Sequence, residues 1–479
     1  MTNLRTLARR GRAAALAGGA LLALAACNEE TDGPTGAPHR SEVGVVPATE
    51  QRPGDPAAGR RALLNAPYVS CGIPYDAYRR VAPETDAADR LPGREGRNAE
   101  LPYALTAHVN AEGVEVVSSN CLTCHAGRID GELIVGLGNE FADFTADPRR
   151  LALQAGTYVR GAAETRAWEL WADRLEGIAP HIRTRTVGVN PATNLTWALM
   201  AHRAPETMAW WETPLIAPPP EDPLPLSVPP WWTMRKKTAM FYTTIGRGDH
   251  ARFMLLASML CVESTDELEA IDAYAPDIRA FIASLEPPEW PWAIDAARAA
   301  EGERIFAREC SACHGTYGAE ESYPNRVYAL DEVGTDPAYA RAATDGSRDR
   351  FYEWVARSPY GDTESAAPAP GYIAPPLDGV WATAPYLHNG SVPSMAALLS
   401  PETRPTYWRH RTAPRRYDRQ AMGWRFERLQ AGQGAEPDAD ARRRIYDTTL
   451  RGYGNGGHVY GADLTDAERA ALIEYLKTL

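Results

Sequence analysis

Apolar positions recur at three- and four-residue intervals over 163–178 and 252–261, which predicts a helix in each stretch. Ser264 followed by Glu267 is a capping-box pattern, so a further helix is expected to open there and run towards Leu285. Thr465 and Glu468 repeat that pattern ahead of Leu472, Ile473, Leu476 and Leu479, again at helical spacing. Another helix is expected to start near Asp295 and to carry Gly302, Ile305 and Phe306. The β signal is local: 103–109 and 114–118 flank Asn110-Ala111-Glu112-Gly113, the pattern of a short hairpin. The expected fold is mainly α, with small β-hairpin additions and long loops.

Proline interrupts these patterns in two places. Eight of the seventeen positions from 214 to 230 are proline, followed by Trp231 and Trp232, which predicts an extended, stiff surface segment. It reads either as the rim of a hydrophobic channel or as a loop covering core tryptophans. The run Glu286-Pro287-Pro288-Glu289-Trp290-Pro291-Trp292 ends the preceding helix, and the chain is expected to divide there into 60–286 and 293–479. Residues 28–59, rich in Pro, Gly, Ala and charge without apolar periodicity, are expected to be a flexible tether.

The first residues are different again. Arg5, Arg9, Arg10 and Arg12 precede an apolar run over 13–26 that is short for a membrane span, the order of a secretory signal over 1–27. Leu24-Ala25-Ala26-Cys27 resembles the lipobox of bacterial lipoproteins, in which cleavage leaves a lipidated cysteine, here Cys27. An unlipidated signal peptide is the alternative. Asn28 follows the cysteine in place of an aspartate, so the resemblance implies outer-membrane anchoring, facing the periplasm or the cell surface. The formal charge of −12 becomes about −16 once the four signal arginines are removed, which argues against nucleic acid as a partner.

Seven cysteines carry the chemistry. Cys121-Leu122-Thr123-Cys124-His125 and Cys310-Ser311-Ala312-Cys313-His314 each place two thiols about one turn apart with an imidazole directly after them. That spacing suits two thioether bonds to one porphyrin with the histidine beneath the iron, so each string reads as a covalent haem c site. A zinc knuckle or a thioredoxin-like redox pair uses Cys-x-x-Cys as well, but neither requires the adjacent histidine twice. Two covalently attached haems are thus expected, one in each half, and export agrees with them. With Cys27 set aside for lipid, Cys71 and Cys261 remain; in an oxidising compartment they are expected to pair, two buried free thiols being the alternative.

Beyond residue 60 the chain resembles bacterial di-haem cytochrome c peroxidases and, more closely, the di-haem rubber oxygenases. The resemblance rests on the first Cys string with Ala126-Gly127, on Trp231-Trp232, and on the segment 383–393, which contains His388-Asn389-Gly390. It rests further on Gly454-Asn455-Gly456-Gly457-His458 and on the terminal helix. It implies two cytochrome c-like haem domains, the second having its first and last helices crossed at Gly302 against Phe306 and Tyr475. It implies His125 and His314 as proximal ligands and His458 as the distal ligand of the second iron, where peroxidases use a methionine; Met395 and Met422 are this chain's candidates for that role.

The same resemblance puts Trp231 and Trp232 in the distal pocket of the first haem or on the path between haems, as the residues expected to serve catalysis. Phe241 and Phe253 are further candidate walls. It places His388 beside the second haem's propionates, neither ligand nor catalyst, and assigns the carbonyls of Thr383 and Pro385 to an interhaem calcium ion. The implied activity is that of an oxidoreductase whose open first haem binds O2 or H2O2 while the second supplies electrons, acting on a hydrophobic alkene. No glutamate can be placed as a distal acid from spacing, Glu176 included, which favours the oxygenase reading over the peroxidase. A peroxidase fed by a small electron-transfer protein, and a non-catalytic carrier, are the alternatives.

Overall fold

The computed structural model describes residues 43–361, 366–411 and 417–479. The signal sequence and Cys27 lie outside them, as do residues 28–42 of the expected tether. From residue 43 the tether expectation is overturned. Strand Gly44–Val45 pairs antiparallel with Arg326–Ala329, and Val46 is buried beside Val327. Arg52 is bonded to Asp249 and Asp272, and Asp55 caps helix Pro56–Asn65 through the amides of Ala57 and Ala58. Apart from the local Asp55 cap, these contacts join residues about 200 to 280 positions apart, so no local periodicity betrays them.

The hairpin forms as expected. Leu105–Val109 and Glu115–Ser119 pair in antiparallel register, and the Asn110 side chain accepts from the amides of Glu112 and Val114 to close the turn. Strand Ile73–Pro74 adds to its other edge, and the first Cys string follows directly as helix Leu122–His125. A second hairpin, Ala126–Ile129 with Glu132–Val135, leads away from it. The helix expected over 163–178 spans Gly161–Ile182. Residues 252–261 instead divide between helix His250–Met254 and the 3-10 turn Leu255–Leu260.

The helix opened by Ser264 stops at Asp272 and resumes as Ala275–Ala283. Pro276 explains the break: in a continuous helix it would lack the amide for residue 272 and clash with that carbonyl. Cys71 and Cys261 are joined by a disulfide, tying the strand region to this helical layer.

Helix Ala296–Glu309, capped by Asp295, delivers the second Cys string. It crosses helix Asp466–Leu476, whose capping box of Thr465 and Glu468 is complete. A Cβ at Gly302 would lie 2.0 Å from the Ala471 carbonyl oxygen and 2.8 Å from Tyr475 Cβ, so only glycine admits this crossing. Phe306 and Tyr475 pack beside it with ring centres 5.2 Å apart. Gly302→Val is expected to cost about 3 kcal/mol, because the added volume forces the two helices apart; urea denaturation of the purified chain measures it.

The proline-rich segment forms no regular element, but it is superficial only in its first half. Pro223, Pro225 and Leu226 are buried, and the amide of Ser227 donates to the His388 carbonyl at 2.8 Å. The surface-segment expectation therefore fails from 223 onward, where long-range packing pulls the chain inward. Trp290 packs on Trp381 and Tyr417, so the strap 286–292 is anchored in the C-terminal core. That core also holds Ile129, Leu137 and Trp232 from the N-terminal half, and the described residues hold together as one unit.

Candidate haem sites

In the second string, Cys310 ends the long helix and Ser311–His314 makes one further turn, which exposes both thiols and the imidazole to one cavity of about 210 Å³. The His314 Nδ1 lies 2.7 Å from the Pro375 carbonyl oxygen. Donating that N–H fixes the tautomer and leaves Nε2 as the bare, ligating nitrogen. Burial lowers the basicity of His314, and His458 is pushed down to about 3 by burial, then by His314 itself. Both rings are therefore neutral at neutral pH, the state a metal ligand requires.

His458 lines the same cavity, its ring centre 6.2 Å from that of His314. Two imidazoles on one iron stand about 6 Å apart between ring centres, from metal–nitrogen bonds of about 2.0 Å and about 1.1 Å more to each centre. The residues present thus fit a six-coordinate iron. The loop carrying His458 is held in an unusual backbone: His458 has φ 45°, and a Cβ at Gly457 would lie 2.1 Å from the Gly334 backbone. Arg404 holds it there, its guanidinium donating to the carbonyls of Asn455, Gly457 and His458 at 2.6 to 2.9 Å. Sequence reasoning missed Arg404; the run of glycines before His458, whose backbone needs outside support, was the available signal. Met395 lines this cavity too, whereas Met422 is buried away from its wall.

His388 is sandwiched in the cavity wall, stacked on Tyr372 at 4.2 Å and edge-on to Tyr242 at 6.1 Å. Burial pushes its pKa down to about 3. Because the unfolded histidine titrates near 6.5, it takes up a proton on acidification that the folded one refuses, so stability falls as pH drops below that value. The expected loss from His388 is about 2 kcal/mol between pH 7 and pH 5. Urea denaturation at the two values should show a smaller difference for His388→Gln than for the unaltered chain.

The first string is built differently. Cys121, Leu122 and Trp231 share an apolar cluster with Ile278, Ile282, Met234 and Met254. Burial raises both thiols to about 12 and lowers His125 to about 4, and its Nδ1 has no hydrogen-bond partner. The Trp231 ring stacks on the His125 ring, 4.7 Å between centres and 21° from parallel. Trp231 thus lies directly against the imidazole expected to serve as the proximal ligand. Trp232, on the same 3-10 turn, points the other way into the C-terminal core, its Nε1–H donating to the Asp378 carbonyl at 2.7 Å.

Phe241 and Phe253 pack on each other, 5.8 Å between centres, in the helical core and outside the Cys121 cluster. Glu176 lies on the surface in an ion pair with Arg149. Thr383 and Pro385 line a separate small cavity of about 30 Å³, large enough for one water-sized particle, with the carboxylate-bearing Glu140 in its wall. Among the described residues no group of three or more His, Cys, Asp or Glu side chains forms a metal-holding cluster.

A Cys-x-x-Cys-His turn here opens on a cavity with a second imidazole at a distance that suits one iron, an arrangement similar to that of c-type cytochromes. Residues 371–409 match the family model described as RoxA-like, cytochrome c-like, which supports a relation to rubber-oxygenase-like cytochromes c and haem c binding. That segment supplies Tyr372, Thr383, Pro385, His388, Met395 and Leu399 to the wall of the larger cavity. Two proteins of Sinorhizobium fredii are also similar, the uncharacterized proteins y4iJ and y4iM, each 30% identical. The y4iJ alignment covers 47% of this chain and 47% of that protein, and the y4iM alignment 41% and 52%. The chain spans about half the length of these curated relatives.

Proposed function

We propose that this chain is an exported, lipid-anchored di-haem c oxidoreductase of rubber-oxygenase-like chemistry, with a closed electron-transfer haem at His314 and a reactive haem at His125. The observation that carries the reading is the facing pair His314 and His458, 6.2 Å apart across one cavity. His314 and His458 are the residues that would hold the iron of a haem attached at Cys310 and Cys313, and with two imidazoles that haem would supply electron storage rather than a substrate site. Haem at the first string would supply an iron with an available axial position for O2 or H2O2. Cys121, Cys124 and His125 are the groups that would hold it, within the cluster that contains Trp231.

The chain's own residues account for what surrounds such chemistry. Met234, Met254, Ile278 and Ile282 exclude water from the first site, which favours a hydrophobic alkene as the substrate over a solvated one. Trp231, against His125, and Trp232, within the core of the second site, form two adjacent aromatic steps between the sites. In this reading the two tryptophans serve electron passage. The cavity beside Thr383 and Pro385 supports a calcium ion there, since carbonyl and carboxylate oxygens suit a hard cation.

Absorption and EPR spectra of the purified chain, as isolated and after adding O2, H2O2 and a polyisoprene emulsion, test this. The expected result is one low-spin haem indifferent to all additions and one that responds to O2, with oxidised alkene products. Rapid peroxide turnover with a reduced small cytochrome and no alkene oxidation would favour the peroxidase. Two unresponsive haems would make it a carrier.

A further inference from the structure

The cavity that His314 and His458 share contains a cation the protein leaves unanswered. Among the described residues lining it, Lys237 is the only Lys or Arg. Its ammonium has no salt bridge among the described residues, and burial, with no carboxylate to offset it, pushes it down to about 8. The two acids of the wall are engaged elsewhere: Glu309 accepts from its neighbour Arg308 at 2.6 Å, and Asp378 accepts from Lys236 at 2.7 Å and Arg235 at 3.4 Å. A charge held in a cavity wall without a counterion is costly, and an anion entering the cavity removes that cost.

The composition of the wall indicates which anion. One part is the Cys string itself, with Tyr328 beside it donating from its hydroxyl to the Ala312 carbonyl at 3.1 Å. A second part, with Val380, Leu398, Leu399, Leu472 and Leu476, is apolar and suits a flat macrocycle. A third is the segment 227–242, which brings the hydroxyl-bearing Ser227, Thr233 and Tyr242 to the cavity together with Lys237. That segment is braced from within: the Thr233 hydroxyl donates to the Pro230 carbonyl at 2.9 Å, and the amides of Lys236 and Lys237 donate to the carbonyls of Thr233 and Met234 at 3.2 and 3.3 Å. A haem joined by two thioethers to Cys310 and Cys313 has its vinyl edge at the cysteines, and its propionates leave from the other edge. The matching anion is therefore a carboxylate on an apolar ring, met by the segment that carries the ammonium and the hydroxyls.

We propose that Lys237 holds a propionate of a haem attached at Cys310 and Cys313. This rests on the haem reading of the second site given above. The charge has a further consequence: an ammonium held against a propionate disfavours the additional positive charge of ferric iron and raises the reduction potential of that haem. Lys237 stands two residues beyond the turn Trp231–Arg235, whose Trp231 ring lies on His125. One short segment thus supplies a ring to the first site and a cation to the second.

Spectroelectrochemical titration and resonance Raman spectroscopy of the full chain test the assignment, with attached haem counted as the pyridine haemochrome. In Lys237→Met the low-spin haem should move its oxidised-to-reduced ratio at fixed potential about tenfold towards oxidised, which for a one-electron couple is about 59 mV downward. Its propionate bending bands should shift, and the other haem should keep its potential. Lys237→Arg, which retains the charge, should keep most of the unaltered potential. Should Lys237→Met fail to accumulate with haem attached, Lys237→Gln carries the same test. A low-spin haem whose potential and bands stay unmoved in the variant that folds overturns the proposal alone. A peptide spanning Cys310 to His314 that carries no haem in mass spectra of the unaltered chain overturns the reading of the second site and this proposal with it.

Discussion

Replacement of His458 by alanine is expected to leave both haems covalently attached and to raise carbon monoxide binding from one to two molecules per chain. Attachment depends on Cys310 and Cys313, which the substitution does not touch, while the imidazole 6.2 Å from His314 is lost. The low-spin EPR signal of the second iron should give way to a high-spin one. Its potential should rise by on the order of 100 mV, because a strong nitrogen donor that stabilises the ferric state is gone. Carbon monoxide binding to both haems of the unaltered chain would show that His458 does not close the second iron. A methionine-to-iron charge-transfer band would point instead to Met395, which lines the same cavity. Arg404→Met should move in the same direction by a smaller amount, since it frees the loop that presents His458 without removing the ring.

The double substitution Cys121→Ala, Cys124→Ala is expected to halve the haem content and abolish both carbon monoxide binding and O2-dependent chemistry. The His314 and His458 spectrum should survive, because the residues that wall its cavity lie within 227–242, 309–335, 372–399 and 458–476 and do not include the first string. Survival of carbon monoxide binding in this variant would relocate the reactive iron to the second site. The pair of experiments assigns each iron a separate role, which a count of Cys-x-x-Cys-His strings cannot do.

Elements governed by neighbours in sequence were legible in advance. The hairpin about Asn110–Gly113 closes through one asparagine side chain, and the capping box at Thr465 and Glu468 acts over three residues. The crossing at Gly302 followed from the resemblance, and no other residue lets the two backbones come so close. The single helix expected from Ser264 fails for an equally local reason, Pro276, whose effect on a continuing helix outweighed the apolar spacing. The tether from residue 43, the inner half of the proline-rich segment and the stacking of Trp231 on His125 were not legible. Each depends on partners tens to hundreds of positions away.

The sequence by itself determined two Cys-x-x-Cys-His turns, and with them the expectation of covalent haem attachment, since thiol spacing and the adjacent imidazole are set within five residues. It also paired Cys71 with Cys261 by elimination, and the structure joins them. The inequality of the two sites was decided by the tertiary structure. Arg404 and Gly334 hold His458 across from His314, while the turn Trp231–Arg235 lays an aromatic ring against His125. An axial ligand is defined by a distance of a few ångströms through space, and only the packing of remote segments sets that distance.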